Sequence, residues 1–415
     1  MKILYLNPDR GIPVLGDKGA SVHVREFVSG AAALGHNVVL GCATLGTGNA
    51  APPARILRFE VPTDDVALSD ACRVFGLSLE YLGDVAARRE LELLAYDCGL
   101  AQRVLSELAR IKFEPDVIYE RHALFSSMGA AVAARLGVPR ILEVNAPIVK
   151  EQARFRGLLF TGLALRKEAE SYLKADVTIA VSQAVAAHIR TVIRSMGAVR
   201  VVGNGVNMAR FKSNGSREKL RRRLGLTDEP VIGFIGSFKA WHGVNSLFDA
   251  FEVVLRKHPT AALVALGDGP ERAALHARAA AAPHSRQIIF PGKVPHAEIP
   301  DWLAAMDLTA APYLPQSDFY FSPLKIIESL AAARPVVAPC IGQITELVQD
   351  GETGVLFAPG SVAGCAEAIC TLLDEPERRT EMGAAGRRFA AGRDWTHVVQ
   401  EILSFVGSPV VELRA

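Results

Sequence analysis

One segment near the three-quarter point of the chain carries residues that could do chemistry together. Lys325 and Glu328 are three residues apart, so on a helix they lie on one face. Ser322 suits the N-cap of that helix, and Pro323 suits its first turn. An acid beside a lysine at a helix N-terminus could hold a ribose diol while the lysine and the amides hold a diphosphate. A plain ion pair on the helix explains the same spacing equally well.

Two loops that precede helices carry glycines where an anion could approach the backbone. The stretch Gly236–Gly243 contains Lys239 and His242, whose positive charge would add to the attraction of the amides. The stretch Gly11–His23 contains three glycines, although a surface loop capped by Ser21 explains it as well. One such loop in each half of the chain is more informative than either alone.

Parallel sheets must position these residues, because strand patterns and amphipathic helix patterns alternate almost from end to end. The strands predicted in the first series are Lys2–Leu6, Asn37–Gly41, Asp116–Tyr119, Arg140–Val144, Asp176–Val181 and Arg200–Val202. Those predicted in the second series are Pro230–Ile235, Ala262–Leu266, Gln287–Phe290, Asp307–Pro312 and Pro335–Ala338.

The two series predict two doubly wound α/β domains, each with helices on both faces of its sheet. We place the boundary near Gly205, inside the polar stretch Asn204–Glu229. The basic run Arg217–Arg223 favours a solvated helical face over a surface for phosphates or membranes. Ligands of such sheets bind beyond the carboxyl ends of the strands, so two facing domains predict a cleft.

Composition disfavours several other classes of protein. The length of 415 residues suits two to three domains, and a net charge of +2 is far from that of a dedicated nucleic-acid binder. Six scattered cysteines offer neither a disulfide framework nor a CxxC metal site, so a reducing compartment is expected. No signal peptide or membrane-spanning stretch is recognisable, and we expect a soluble, cytoplasmic protein.

Eight motifs, in the right order along nearly the whole chain, resemble the retaining glycosyltransferases of family 4 (glycosyl transferases group 1). That family has the GT-B fold, in which two Rossmann-like domains face each other across a cleft. The motifs are Lys18–Glu26, Tyr119–His122, Glu143–Pro147, Ala175–Asp176 with Val181–Ser182, Asn204–Asn207 with Phe211, Gly236–Gly243, Gly267–Pro270 and Ser322–Ala338. The resemblance implies an acceptor-binding domain Met1–Gly205, a nucleotide-sugar-binding domain Val206–Ala390, and a helix within Ala391–Ala415 that crosses back to the first domain.

The resemblance also implies an activity, which is transfer of a sugar from a nucleotide-sugar to an acceptor hydroxyl with retention of configuration. No metal and no other cofactor is implied. Glu328 would bind the donor ribose, and Lys325 would meet the sugar or the diphosphate. The other donor-binding residues implied are Gly19 and Ala20, Gly236, Ser237, Lys239 and His242, the base-reading loop Gly292, Lys293 and Val294, and Ser322, Pro323 and Leu324.

Three positions depart from the family's pattern. The first of its two glutamates is replaced by Tyr320, and Ala333 stands where a glycine is usual, which affects a helix end more than chemistry. The family's active-site histidine of the N-terminal domain corresponds to Arg121 if no gap is introduced after Asp116, whereas the histidine itself is His122. We favour His122 as the catalytic residue and keep Arg121 as the alternative.

No residue is a convincing covalent nucleophile, so the resemblance implies a front-face mechanism in which the departing phosphate helps to deprotonate the acceptor. Arg121, Glu143 and Asn145 are candidate acceptor contacts, although a buried polar turn explains Glu143 and Asn145 nearly as well. The apolar and basic stretch Glu151–Lys167 could lie on a membrane and reach a lipid-linked acceptor. A core or interdomain helix is favoured there.

Two other functions stay open at this point. A nucleotide-sugar epimerase of the same fold is disfavoured by the pattern Ser322–Glu328. A two-domain sugar-binding protein without catalysis is disfavoured by the two phosphate-type loops and by the lack of a recognisable signal peptide. The expected partners are a nucleotide-sugar and an acceptor, which could be a small molecule, a glycan or a lipid-linked acceptor. Peripheral contact with a membrane is compatible with the sequence. Binding to nucleic acid is not expected.

Overall fold

Each half of the chain is built around one sheet of parallel strands. The protein is seen in a computed structural model that describes residues 1–48, 50–194, 199–212, 216–316 and 318–406. It divides into two units, of which the first contains Met1–Gly203 and the chain from Trp395 onward, and the second contains Asn204–Asp394.

The first unit has a doubly wound arrangement. Its strands are β1 (Lys2–Asn7), β2 (Asn37–Cys42), β3 (Arg55–Arg58), β4 (Val117–Arg121), β5 (Arg140–Val144), β6 (Val177–Ala180) and β7 (Val199–Val201). Its first helices are α1 (Gly19–Ala33), α2 (Asp65–Phe75), α3 (Val85–Ile111), α4 (Met128–Leu136), α5 (Ile148–Phe155), α6 (Thr161–Leu173) and α7 (Gln183–Ile193). The strand order is β3-β2-β1-β4-β5-β6-β7, so the chain changes direction along the sheet between β1 and β4.

The second unit repeats this plan. Its strands are β8 (Val231–Ile235), β9 (Ala262–Leu266), β10 (Ile288–Gly292), β11 (Leu308–Ala310), β12 (Val336–Pro339) and β13 (Gly354–Phe357), in the order β10-β9-β8-β11-β12-β13. Its helices are α8 (Ser216–Arg223), α9 (Val244–Lys257), α10 (Arg272–Ala281), α11 (Ile299–Ala305), α12 (Leu324–Ala331), α13 (Ile344–Leu347), α14 (Val362–Asp374) and α15 (Pro376–Ala391). The order reverses between β8 and β11, which is where ligands of such sheets bind.

The last helix, α16 (Trp395–Ser404), belongs to the first unit. Trp395 packs edge-on against His23 and Phe27 of α1, and the backbone of Trp395 lies where a side chain on Gly30 would stand. Only a glycine at position 30 lets the two helices approach this closely.

Every predicted strand is present, and the predicted α/β fold class is confirmed. The strands β3 and β13 were not predicted from the sequence, and both lie at an edge of their sheet. Each is only four residues long, and in each only part of the strand is buried. A segment of four residues is too short for its apolar pattern to identify a strand.

The basic run of α8 differs from the expected solvated face. Arg217 and Arg221 both bind Asp307, at 2.7 and 2.6 Å, and Arg221 is buried. Burial alone would raise the pKa of Asp307, but a backbone hydrogen bond from Val231 and the two arginines lower it overall. The arginines therefore join α8 to the sheet of the second unit. Residues 213–215 of the polar stretch lie outside the described residues.

The stretch Glu151–Lys167 forms parts of two helices, α5 and α6. Phe160 and Lys167 are buried, whereas Phe155, Leu159 and Leu165 are exposed. The favoured core position therefore holds for one face of the stretch only. Within the described ranges, no helix has both the length and the apolar character needed to cross a membrane.

Ala333 ends α12 in the left-handed region, with φ of 57°. The amide of Ala333 donates to the carbonyl of Leu330, and the amide of Arg334 donates to the carbonyl of Ser329. This is a helix C-terminus of the kind that normally uses glycine, because a Cβ costs about 1 kcal/mol or more in that region.

We expect Ala333→Gly to stabilise the second unit by about 1 kcal/mol, because the substitution removes that backbone cost. For a unit of this size, the melting temperature should rise by about 2–4 °C in a calorimetric scan. Ala332→Gly is the matched control, since Ala332 has an ordinary φ of −80° and its replacement should lower the melting temperature. Equal effects of the two substitutions would contradict this account.

Candidate functional site

Three loops meet at the carboxyl edge of the second sheet through their backbones. The amide of Gly236 donates to the carbonyl of Leu266, and the amide of Gly267 donates to that of Gly292, both at 3.0 Å. A Cβ on Gly267 would overlap the carbonyl oxygen of Gly236, and the two glycines have φ of 150° and 149°. Both positions therefore require glycine.

Lys325 of α12 reaches the point where the strand order reverses. Its Nζ lies 4.5 Å from the ring centroid of Phe234 on β8 and 5.0 Å from that of Tyr313, just after β11. A Cβ on Gly236 would be 2.5 Å from the same nitrogen. Nζ is buried and has no hydrogen-bond acceptor among the described residues. Burial lowers the pKa of Lys325 to about 7.

Lys325 and Glu328 therefore do not form the helical ion pair that was one interpretation of their spacing. Glu328 instead points to a residue that sequence analysis missed, because its Oε1 is 2.6 Å from Nε2 of His296. Arg210 in turn contacts Nδ1 and the carbonyl oxygen of His296, both at 2.8 Å. Along the chain, His296 is 32 positions from Glu328 and 86 positions from Arg210, so no local spacing indicates these contacts.

His242 differs from the expected cation. Its Nδ1 is 2.6 Å from the carbonyl oxygen of Ser237, so Nδ1 carries a proton and donates it there. Burial, followed by the charge of Lys325, lowers the pKa of His242 to about 3. The ring is therefore neutral at pH 7. The neighbouring Lys239 is half-buried, with its Nζ 4.7 Å from the ring centroid of Trp241.

Ser322 does not cap α12, contrary to our expectation. The N-cap position is Pro323, and no side chain caps the first turn that begins at Leu324. Ser322 Oγ accepts a hydrogen bond from the amide of Asn204 at 3.2 Å, and Asn204 Nδ2 donates to the carbonyl of Ser322 at 2.7 Å. Ser322 thus joins two segments of the second unit, and α12 begins with amides that no side chain covers.

The predicted base-reading loop follows β10. Gly292 ends that strand with φ of 82°, and the space where its Cβ would be is open. Lys293 is exposed, whereas Val294 packs against the core beneath it. This loop lies next to the Gly267 turn through the hydrogen bond between the two glycines.

In the first unit, Gly19 and Ala20 are the first residues of α1. Lys18 holds the N-cap position without a side-chain hydrogen bond, and Ser21 is buried inside the helix, so the alternative of a Ser21 cap is wrong. Arg25 holds the preceding loop by donating to the carbonyls of Val14 and Gly16, at 2.7 and 2.5 Å.

Arg121 and Glu143 lie side by side at the ends of β4 and β5, where the structure brings them together. Glu143 contacts Arg121 NH1 at 3.4 Å and His23 Nε2 at 2.7 Å. Burial would raise the pKa of Glu143, but the hydrogen bond and charge of His23 and the charge of Arg121 lower it to about 2. Asn145 is half-buried at the turn after β5.

The side chain of His122 has different neighbours from that of Arg121. Its ring lies 5.2 Å from that of Tyr172 on α6, and its Nε2 is 3.9 Å from Glu168 Oε1. Burial chiefly lowers the pKa of His122 to about 4, and neither ring nitrogen has a hydrogen-bond partner among the described residues. Arg121 contacts Glu143 instead, so the two candidates do not share one cluster. The choice between them stays a prediction.

Two family models match the chain. The model described as Glycosyltransferase Family 4 matches residues 18–210, and the model described as Glycosyl transferases group 1 matches residues 229–375. Between them they span both units and well over half of the sequence.

Named relatives are similar over long alignments. Sulfoquinovosyl transferase SQD2 of Arabidopsis thaliana is 27% identical over 313 residues, which are 73% of this chain and 58% of that protein. The chain thus spans less than two thirds of the plant protein. Glycogen synthase of Mycobacterium tuberculosis is 26% identical over 415 residues, which are 96% of this chain and 92% of that protein.

Solved structures share the fold at low identity. Anabaena HepE in complex with UDP has a TM-score of 0.70 and 21% identity, over 97% of this chain and 99% of that chain. A second structure of that protein holds UDP-glucose. These likenesses establish the overall fold of the chain.

We expect one lysine of the ligand-free protein to titrate near pH 7, because burial disfavours the charged form of Lys325. The unfolded chain keeps this proton up to the ordinary value of 10.5, so the contribution of Lys325 to the unfolding free energy increases as the pH rises from 7 to 10.5. The measurement is NMR of isotope-labelled lysine side chains, with Lys325→Met to assign the signal. A spectrum in which every lysine titrates above about pH 9 would contradict the burial argument.

Proposed function

Because the chain belongs to the group 1 glycosyltransferases of family 4, with their GT-B fold, we propose that it transfers a sugar from a nucleotide-sugar to an acceptor hydroxyl. We propose further that transfer retains the configuration of the sugar and needs no metal ion. The donor is assigned to the second unit and the acceptor chiefly to the first.

The observation that carries this proposal is the buried amino group of Lys325, which has no hydrogen-bond partner among the described residues. Burial without a counter-charge lowers the pKa of this group to about 7, and an anionic ligand would stabilise its charged form. The ammonium lies beside the Gly236 loop, at the reversal of strand order where α/β sheets bind ligands. A diphosphate fits this place because it brings negative charge and can approach a glycine backbone closely.

The surroundings of Lys325 suit the rest of a donor. The uncapped start of α12, at Pro323 and Leu324, offers amides and the positive end of a helix dipole. Lys239 supplies a second cation. His242 uses its Nδ1 proton on Ser237, so its Nε2 can accept a hydrogen bond from a sugar hydroxyl but cannot donate one to phosphate.

Glu328 is assigned to the ribose. Its carboxylate lies one helical turn from Lys325, so a nucleotide whose diphosphate meets the lysine places its ribose within reach of the acid. The loop Gly292–Val294 is assigned to the base, and Gly19 and Ala20 of the first unit to closure over the donor. These assignments follow the resemblance of the motifs.

Positively charged groups held in fixed positions would stabilise the leaving group of the proposed reaction. The bond between the anomeric carbon and the diphosphate oxygen breaks, and its electron pair stays on the phosphate, where Lys325, Lys239 and the α12 amides stabilise it. The acceptor oxygen bonds to the same face of the anomeric carbon, and its proton passes to the departing phosphate oxygen. Arg121, Glu143 and Asn145 are proposed to position the acceptor, and His122 to line the sugar pocket.

The proposal is tested by NMR with a panel of α-linked nucleotide-sugars and concentrated protein in the presence of a chelator. Water can replace the acceptor, so we expect slow release of the nucleoside diphosphate and of the α-anomer of the sugar, before mutarotation. Lys325→Met should slow release about tenfold or more, because a charged contact to the leaving group is lost. Lys219→Met, on the exposed face of α8, is the matched control.

Each alternative has its own outcome in this experiment. Release of the β-anomer would contradict retention, and loss of release in the chelator would contradict metal independence. A new sugar epimer that remains attached to the nucleotide would identify an epimerase. Nucleotide binding without any turnover of any donor would favour a protein that only binds sugars.

A second experiment separates His122 from Arg121. If His122 lines the sugar pocket, His122→Ala should lower turnover and leave the affinity for nucleoside diphosphate nearly unchanged, because the second unit holds that ligand. Arg121→Ala should chiefly destabilise the first unit, since it leaves Glu143 with one cation fewer. Loss of turnover in a folded Arg121 variant, with the His122 variant near wild type, would reverse the assignment.

A further inference from the structure

Three residues of the second unit form a directed chain of hydrogen bonds that ends at Glu328. Arg210 lies on the short turn Met208–Phe211, His296 on the turn His296–Glu298, and Glu328 on α12. The distances are 2.8 Å from Arg210 NH1 to His296 Nδ1 and 2.6 Å from His296 Nε2 to Glu328 Oε1. Most of the His296 and Glu328 side chains is buried.

The direction of each bond follows from the chemistry of the groups. A guanidinium can only donate, so His296 Nδ1 must accept from Arg210. The proton of the neutral ring is therefore on Nε2, and Nε2 donates to Glu328. Arg210 also donates through NH2 to the carbonyl oxygen of His296, which fixes the ring relative to its own backbone. The carboxylate thus receives a hydrogen bond from a donor that is itself held at two points.

We propose that His296, oriented by Arg210, is a positioning residue that sets Glu328 to recognise the ribose and keeps it away from Lys325. The proposal rests on the proposed function, because it takes the ribose as the ligand of Glu328. Neither residue is assigned contact with the donor.

Two features of Glu328 support this role. Oε1 is occupied by His296, whereas Oε2 makes no hydrogen bond to the described residues, so one oxygen stays available to ribose hydroxyls. Lys325 is only three residues away on the same helix, a spacing at which an acid and a lysine ordinarily pair. They do not pair here, since the lysine nitrogen has no acceptor. The hydrogen bond from His296 is what holds the carboxylate elsewhere.

As a consequence, Lys325 and Glu328 can bind different parts of the donor. If Glu328 paired with Lys325, the lysine charge would no longer be available to the diphosphate. The carboxylate would also no longer be available as a hydrogen-bond acceptor for the ribose. Holding Glu328 by a neutral donor avoids this, because His296 contributes no second positive charge to compete for the phosphate. The groups near the lysine are then Phe234, Tyr313 and the neutral His242, with Lys239 further along the loop.

The test compares binding of a nucleoside diphosphate with binding of its 2′,3′-dideoxy analogue, by calorimetry, using whichever of UDP, GDP and ADP binds best. Wild-type protein should prefer the ribose form by about 10–100-fold, as expected for hydrogen bonds to a carboxylate. His296→Leu should reduce this ratio to near one. His296→Gln should restore most of it, because the glutamine amide can donate from the position of Nε2. His284→Leu, on a distant turn of the same unit, is the matched control.

Glu328→Gln distinguishes the ribose assignment from the positioning role of His296. If this variant keeps the wild-type ratio, the ribose assignment of the proposed function is wrong. If it loses the ratio while His296→Leu keeps it, the ribose assignment stands and the positioning role of His296 is overturned.

Two further measurements need no nucleotide. NMR of the histidine rings of wild-type protein should show His296 neutral with its proton on Nε2, and an Nδ1 proton would overturn the proposal even if the variants failed to fold. In folded His296→Leu, Glu328 should turn to Lys325 and raise the pKa at which the lysine titrates. An unchanged lysine titration would show that His296 does not hold the carboxylate away.

Discussion

A Cβ on Gly267 would overlap the carbonyl oxygen of Gly236, and the arrangement of the second unit's candidate site depends on this close contact. Because the two loops touch through their backbones, Phe238 can exchange hydrogen bonds with Asp268 and Glu271 on both its amide and its carbonyl. The loop after β8 is therefore fixed on both sides. Its carbonyl at Ser237 then selects the tautomer of the nearby imidazole, and its glycine leaves the space that the α12 lysine occupies.

Lys325 differs from other buried charged groups of the protein. Arg140 is paired with Glu120 and Lys167 with Asp97 in the first unit, and Arg221 is paired with Asp307 in the second. Such pairs replace the hydration that burial removes, and they join neighbouring strands, as in Arg140 with Glu120, or neighbouring helices, as in Lys167 with Asp97. In the second unit, Lys325 is left with aromatic rings alone. An unpaired buried cation lowers stability, so its presence marks the place where the protein is organised around a ligand and not around its own packing.

The central strands could be predicted from sequence because each is a local apolar run, buried on both faces, as in Ala262–Leu266. The glycine loops and the pair Lys325 and Glu328 were also visible, because spacing of three on a helix is a local property. The spacing could not decide whether Lys325 and Glu328 would form an ion pair with each other. That outcome depends on His296, which comes from another loop and meets Glu328 only in the folded unit.

Charge state was the other property that sequence could not supply. His242 looks like a cation in the sequence, but burial and a neighbouring ammonium make it neutral. Arg221 looks like part of a solvated face, but it is buried against Asp307. In each case the charge state or the contacts of the side chain depend on residues that are distant along the chain.

The position of α16 bears on how the protein is made. Trp395, Val398 and Val399 complete the same core as Phe27 and Tyr119, although the whole second unit is encoded between them. During synthesis from the N-terminus, the first unit therefore emerges with one side of its core uncovered, while the second unit can fold from a continuous stretch. The order of synthesis is thus the reverse of the order of completion, because the unit that begins first is the last to close.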